Sequence, residues 1–151
     1  MSIHVCSRRV ALKVLASSGA AGAFVSACGA PSGTQPTPVG TIEAGLVTDY
    51  PVGSLEPVGT LPLAVGRDAK GLYAMSLTCT HTGCNMAQDG NVSPGGVVCG
   101  CHGSRFDVNG AVTRGPAQDD LAHFAVTVDA SGTITVHGDQ TVGATSRTPA
   151  A

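Results

Sequence analysis

Large side chains are scarce in this 151-residue chain: it has no Trp, two Tyr and three Phe, against twenty-one Gly. So little bulk, in a chain of one domain's length, leaves packing alone short of holding many loops, and cross-links or a metal are expected to help. Apolar runs are short as well. The longest, between Val14 and Ala27, is interrupted by S-S-G-A-A-G-A and falls below the roughly 20 apolar residues that a membrane span needs. No amphipathic helix is legible after that run, and no internal repeat. Basic residues are few: eight Lys and Arg against ten Asp and Glu. Without Arg8, Arg9 and Lys13 the balance is five against ten, a net charge of −5. An acidic domain poor in aromatics is not built for nucleic acid.

The front of the chain is organised as an export signal. SRRVALK carries the adjacent Arg8 and Arg9, a short apolar run of small residues follows, and V-S-A-C closes it at 25–28. The paired arginines resemble a twin-arginine (Tat) signal, and the closing tetrapeptide resembles a bacterial lipoprotein processing site. That resemblance implies a signal over residues 1–27, with Cys28 as the lipidated first residue of the mature chain. The rival reading is a retained anchor, against which stand Lys13 and the short run. Residues 28–41, GAPSGTQPTPVGT after the cysteine, are Pro, Gly, Ser and Thr without charge, a flexible tether.

From Ile42 the text becomes short apolar segments broken by Gly, Pro and Asp: LPLAV at 61–65, LYAMSLT at 72–78, HFAVTV at 123–128 and TITV at 133–136. They have strand length. R-D-A-K-G at 67–71 and D-A-S-G at 129–132 have the chemistry of hairpin turns in which one residue takes positive φ. Phe124, Val126 and Val128 alternate with Ala125 and Thr127, and Ile134 and Val136 with Thr133 and Thr135. Period two with one apolar face indicates antiparallel sheet. The reading is an all-β domain over 42–138, with long loops at 79–96 and 99–119 and a C-terminal tail at 139–151.

Those loops carry the chemistry. CTHTGC at 79–84 and CGCHGSRF at 99–106 hold four cysteines and two histidines. If Cys6 leaves with the signal and Cys28 carries lipid, these four are all the cysteines of the folded part. Cys79 with His81, and Cys99 with His102, each set a thiolate beside an imidazole, a four-ligand set over two loops. A structural zinc is the bland alternative, but zinc motifs group like ligands, and zinc does not account for Cys84 and Cys101.

The two boxes, C-x-H-x-G-C and C-x-C-H-G-S, resemble the cluster-binding boxes of Rieske iron–sulfur proteins. The resemblance implies an antiparallel β-sandwich of stacked sheets with a cluster-binding subdomain formed by two loops. It implies a [2Fe-2S] cluster with Cys79 and Cys99 on one iron and His81 and His102 on the other, and a disulfide between Cys84 and Cys101. Two neutral imidazoles in place of two thiolates raise the potential into roughly the −150 to +300 mV range. The outer proton of an exposed imidazole can couple to the electron, and a partner would dock at that edge. The disulfide closes a moderate loop, contributes about 3 kcal/mol on the chain-entropy estimate, and suits an oxidising compartment.

Residues around the boxes extend the resemblance. Gly83 and Gly103 would let backbone approach the cluster, Ser104 would donate its hydroxyl to a bridging sulfide, and Gly115-Pro116-Ala117 resembles the family's proline loop. The bc-type relatives have Tyr where this chain has Phe106, which removes one hydrogen bond to the cluster and lowers the expected potential. His4 lies in the signal, His123 and His137 read as solvated or hydrogen-bonded imidazoles, and Asp119 and Asp120 as a solvated turn.

The function so implied is one-electron transfer outside the cytoplasm, at the outer face of the bacterial cytoplasmic membrane or in the cell envelope. A lipid anchor would hold the protein there, between a membrane-associated donor and a cytochrome or oxidoreductase partner. Alternatives on the same cluster are a quinol-oxidising bc-type subunit and a small subunit of a larger oxidoreductase, resembling that of arsenite oxidase. Ring-hydroxylating dioxygenase components fit less well, because their boxes lack the extra cysteine pair.

Overall fold

Alternation in the second half of the chain is matched by pairing. In the computed structural model, which describes residues 40–150, HFAVTV forms β9 (His123–Val128) and pairs antiparallel with β10 (Thr133–Val142), Val126 opposite Val136 and Val128 opposite Ile134. The turn between them is built by Asp129: its carboxylate accepts the amides of Ser131 at 2.8 Å and Thr133 at 2.9 Å, and Gly132 takes φ of 84°. The expected signal over 1–27 and nearly all of the expected tether, with Cys6 and Cys28, lie outside the described residues.

Among the described residues, ten strands make two antiparallel sheets. The larger, curled sheet runs in the order β1-β10-β9-β4-β3-β2, with β1 at Thr41–Leu46, β2 at Leu55–Pro57, β3 at Leu63–Asp68 and β4 at Gly71–Ser76. R-D-A-K-G is the β3–β4 hairpin, Asp68 opposite Gly71, with the Asp68 carboxylate accepting the Lys70 and Gly71 amides. A one-turn helix, α1 (Met86–Asp89), precedes the smaller sheet of β5 (Gly90–Ser93), β6 (Gly96–Cys99), β7 (Arg105–Phe106) and β8 (Val112–Arg114).

Strand β4 shows how the layers meet. All six of its residues are buried, so it has no polar face. Leu72 and Ala74 join one apolar cluster with Val65, Phe124, Ile134 and Val136, inside the curl of the large sheet. Tyr73 and Met75 face the other way, into a second cluster with Val97, Cys99 and Phe106 of the small sheet. Burial on both faces explains the continuous run LYAMSL where alternation would otherwise be expected.

Two expectations are corrected. The regions 79–96 and 99–119 are not long loops: they contain β5 to β8, and the irregular stretches that remain are short. The segment 139–150 is not a tail. Strand β10 continues to Val142 past a bulge, and the chain then returns so that Thr148 exchanges backbone hydrogen bonds with Leu72, at 2.8 and 2.9 Å, while its hydroxyl donates to Val126 O at 2.6 Å. These are buried strand groups that need partners, and Thr148 supplies them. Beside it Arg147 pairs with Asp68 at 2.6 Å, donates to Asn109 Oδ1 at 2.6 Å, and lies 4.2 Å over the Tyr73 ring.

Candidate metal centre

Both cysteine–histidine boxes fold into the same turn. In the first, Cys79 N–H donates to Cys84 O at 2.9 Å and Gly83 N–H to Cys79 O at 2.8 Å; in the second, Cys99 N–H donates to Ser104 O at 2.9 Å and Gly103 N–H to Cys99 O at 3.0 Å. The fifth residue of each turn has positive φ, 81° at Gly83 and 78° at Gly103. A Cβ at either glycine would meet no protein atom within 4 Å. The turn itself, and not crowding by protein atoms, calls for glycine there.

One loop leaves β4 and the other leaves β6, so the two sheets set their separation. Helix α1 ties them. Asn85 caps it, accepting the Ala87 amide at 3.0 Å, while Met86 N–H donates to Leu77 O at 2.8 Å and Gly100 N–H to Asp89 O at 2.7 Å. Cys84 and Cys101 are joined as a disulfide, with Cα atoms 6.7 Å apart, linking the two loops covalently.

Of the six box side chains, the remaining four form two pairs. The Cys79 and Cys99 thiols are free, each 1% exposed, and packed in the same apolar cluster. Burial pushes the Cys79 thiol above its ordinary pKa, and Cys99 adds to the rise, while the His81 amide and the Ser104 hydroxyl pull the other way. The His81 and His102 rings stand edge to face with centroids 4.8 Å apart. His81 is half-buried and His102 exposed, and His81 Nδ1 is a buried nitrogen with no hydrogen-bond partner.

This donor set can be tested against a metal group. A single tetrahedral zinc would need all four donor atoms about 2.0–2.3 Å from one point. Among the described residues the sole gathering of three or more potential ligand atoms within 4.8 Å of one another is the sulfurs of Cys84, Cys99 and Cys101, two of which are spent in the disulfide. Two thiols at one place and two imidazoles at another, one with an orphaned inward nitrogen, fit a group with two unlike metal positions.

The third loop closes over the second box. Ser104, fully buried, accepts the Ala117 amide on its Oγ at 3.0 Å, which leaves its own proton free to donate. Gly115–Pro116 is a cis peptide, and Ala117 packs into the same apolar cluster as the two thiols. Thr80, passed over in the sequence although it lies between two candidate ligands, donates to Asp119 O at 2.6 Å and fastens this loop to the first box. Asp120 accepts the Val112 amide at 2.8 Å, and Phe106 is 2% exposed in that cluster, opposite Val97. His123 is buried, with Nε2 2.9 Å from Asn109 O, and His137 Nε2 lies 3.0 Å from the Thr127 hydroxyl. Neither belongs to the centre.

Residues 43–125 match the model of the Rieske [2Fe-2S] domain family. The iron–sulfur subunit of the cytochrome b6-f complex of Synechococcus sp. (strain WH7803) is 34% identical over 92 residues, 57% of this chain and 51% of that protein. The same subunit of Synechococcus sp. (strain CC9605) is 39% identical over 70 residues, 46% and 38% of the two chains. The chain thus spans about half the length of these curated relatives, or less. Among solved structures, the cyanobacterial plasma membrane Rieske protein PetC3 from Synechocystis PCC 6803 superposes with a TM-score of 0.50 at 31% identity, covering 63% of this chain and 97% of that one. A chain in the complex of reduced oxygenase and oxidized ferredoxin in carbazole 1,9a-dioxygenase gives 0.50 at 28% identity, covering 68% and 97%.

Proposed function

This chain belongs to the Rieske [2Fe-2S] domain family and carries that family's cluster; from that premise we propose that it is a one-electron transfer protein working outside the cytoplasm. Cys79 and Cys99 hold one iron, and His81 and His102 the other. The observation that carries this assignment is the separation of buried thiols from paired imidazoles, with His81 Nδ1 lacking any protein partner. The bound cluster supplies a reversible one-electron change at a potential raised by two neutral ligands.

The protein's own groups do the rest. Apolar packing around Cys79 and Cys99 excludes water from the thiolate side, and the His81 amide and Ser104 hydroxyl stabilise negative charge on Cys79. His81 turns a buried, unpartnered Nδ1 toward the position of the iron, and the exposed His102 ring presents its edge to solvent or a partner. The partner is a redox protein, a cytochrome or an oxidoreductase subunit, approached at this imidazole edge. Subunits of the cytochrome b6-f complex among the relatives favour a second reading, quinol oxidation within a bc-type complex. Phe106, where bc-type proteins have Tyr, weighs against it.

Export by the Tat-like signal and lipid attachment at Cys28 belong to the same proposal, and the disulfide suits that compartment. Among the described residues no helix is long and apolar enough to cross a membrane. Electron paramagnetic resonance of the reduced full chain tests the cluster: a Rieske-type signal with two irons per chain is expected. A colourless, zinc-containing protein ends the reading. Mass analysis of the mature N-terminus tests the rest, and an intact Met1 in the membrane fraction removes the lipid anchor.

A further inference from the structure

The five basic residues of the folded part are unequally employed. Arg147 is paired with Asp68, and Arg67 donates to the carbonyls of Val47 and Tyr50 at 3.4 and 3.3 Å. Lys70 sits in the β3–β4 turn, at the end of β4 away from Cys79. That leaves Arg105 and Arg114, both exposed and directly opposite each other on β7 and β8. Among the described residues neither takes part in an ion pair or a side-chain hydrogen bond, and no other ion pair exists besides Arg147 with Asp68.

This arrangement breaks a local rule. Like charges directly opposite on an antiparallel pair repel and destabilise it, and a fold that keeps such a pair at its surface without a counter-ion keeps it for a use. Its place says which. Arg105 follows Ser104 at the end of the second box, and Arg114 precedes Gly115 and Pro116 of the third loop. Across β6 and β7, Val98 lies opposite Arg105, one residue from Cys99. Both arginines therefore adjoin in sequence the two loops that end at the metal centre. The nearest acids on those loops are engaged: the Asp120 carboxylate holds the Val112 amide, and Asp107 holds the amides of Asn109 and Ala111. Asp119 is exposed beside Thr80, on the side of the first box.

We propose that Arg105 and Arg114 form a docking surface for the acidic face of a redox partner protein, placing a positive contact beside the electron exit of an otherwise acidic domain. The proposal rests on the electron-transfer reading above. Guanidinium groups are suited to it, since they pair with carboxylates in a two-pronged geometry and are weakly hydrated. A partner's carboxylates would relieve the repulsion between the two arginines on binding, so the favourable charge interaction is realised in the complex.

The test uses the reduced, cluster-loaded full chain with two protein oxidants of opposite charge, an acidic plastocyanin and a basic cytochrome c, followed by stopped flow. With R105Q/R114Q at low ionic strength, transfer to the acidic oxidant is expected to slow about tenfold and to lose most of its salt dependence, while transfer to the basic oxidant holds or quickens. R105K/R114K, which keeps the charge, should retain most of the rate. The Gln pair should melt no lower than the parent, since it removes a repulsion. Equal rates for the parent and the Gln pair with the acidic oxidant overturn the proposal, as does an equal slowing with both oxidants. Unchanged rates, with the parent but not the Gln pair sedimenting on phosphatidylglycerol vesicles, would assign the surface to a membrane and overturn it too. Absence of the Rieske signal in the parent overturns the electron-transfer reading itself; a normal signal with unchanged rates overturns the docking surface alone.

Discussion

Replacing Ser104 by Ala removes one oxygen that holds two things. The Oγ accepts the Ala117 amide at 3.0 Å, and its own proton is left free for a sulfur of the bound cluster, in a site with no solvent exposure. The first loss leaves a buried N–H without a partner, which costs about 1–3 kcal/mol of stability. The second removes the expected charge-assisted hydrogen bond of about 1.5–3 kcal/mol to a cluster sulfur. Only the part of that bond that strengthens when an electron arrives shifts the potential. If about half does so, the change is near 1 kcal/mol, and with about 59 mV per tenfold in a one-electron couple the potential falls by about 40 mV. Protein-film voltammetry reads the potential and thermal unfolding the stability, so the two contacts report separately. A lowered melting point with an unchanged potential would show that the hydroxyl serves the Ala117 loop alone and would refute its role toward the cluster.

Phe106→Tyr should raise the potential, because a hydroxyl added in the apolar cluster around Cys79 and Cys99 is expected to reach a ligand sulfur; an unchanged voltammogram contradicts that. Cys101→Ser opens a disulfide between positions 17 apart and should cost about 3 kcal/mol, read as a lower denaturation midpoint under oxidising conditions with iron content followed in parallel. Burial, with Arg147 nearby, holds His123 below the ordinary imidazole pKa, so the folded state binds a proton less readily than the unfolded chain. Stability is then full above about pH 6.5 and declines as the pH falls toward the folded-state value. His123→Gln, which can keep the donor to Asn109 O, should flatten that decline, and an identical acid limb would sink the assignment.

What the sequence announced and what it concealed differ in how locally each is encoded. The two boxes are legible because ligand chemistry fixes residue types at fixed spacing, and the β9–β10 hairpin because Phe124 to Val136 alternate around an Asp-initiated turn. Strands β5 to β8 are two to four residues long, too short for a period to show. Their inward residues include Cys99, which reads as a ligand before it reads as core. The C-terminal return was hidden for another reason: it depends on Thr148 meeting the backbone of Leu72 and on one guanidinium over Tyr73, contacts that leave no pattern along the chain.

These features also explain why so small a domain can hold its centre. Each ligand loop is closed on itself by two backbone hydrogen bonds and starts from a buried strand, so its geometry is set by the sheets rather than by large side chains. The third loop is then fastened at two points, Ala117 to Ser104 and Asp119 to Thr80. With the backbone so constrained, the centre needs few aromatics. Substitutions can fall on positions that share the thiols' apolar cluster without shaping the loops, such as Phe106, and on exposed ones such as Arg105 and Arg114. Potential and partner choice can therefore change in this fold without disturbing the turns that hold the metal ligands.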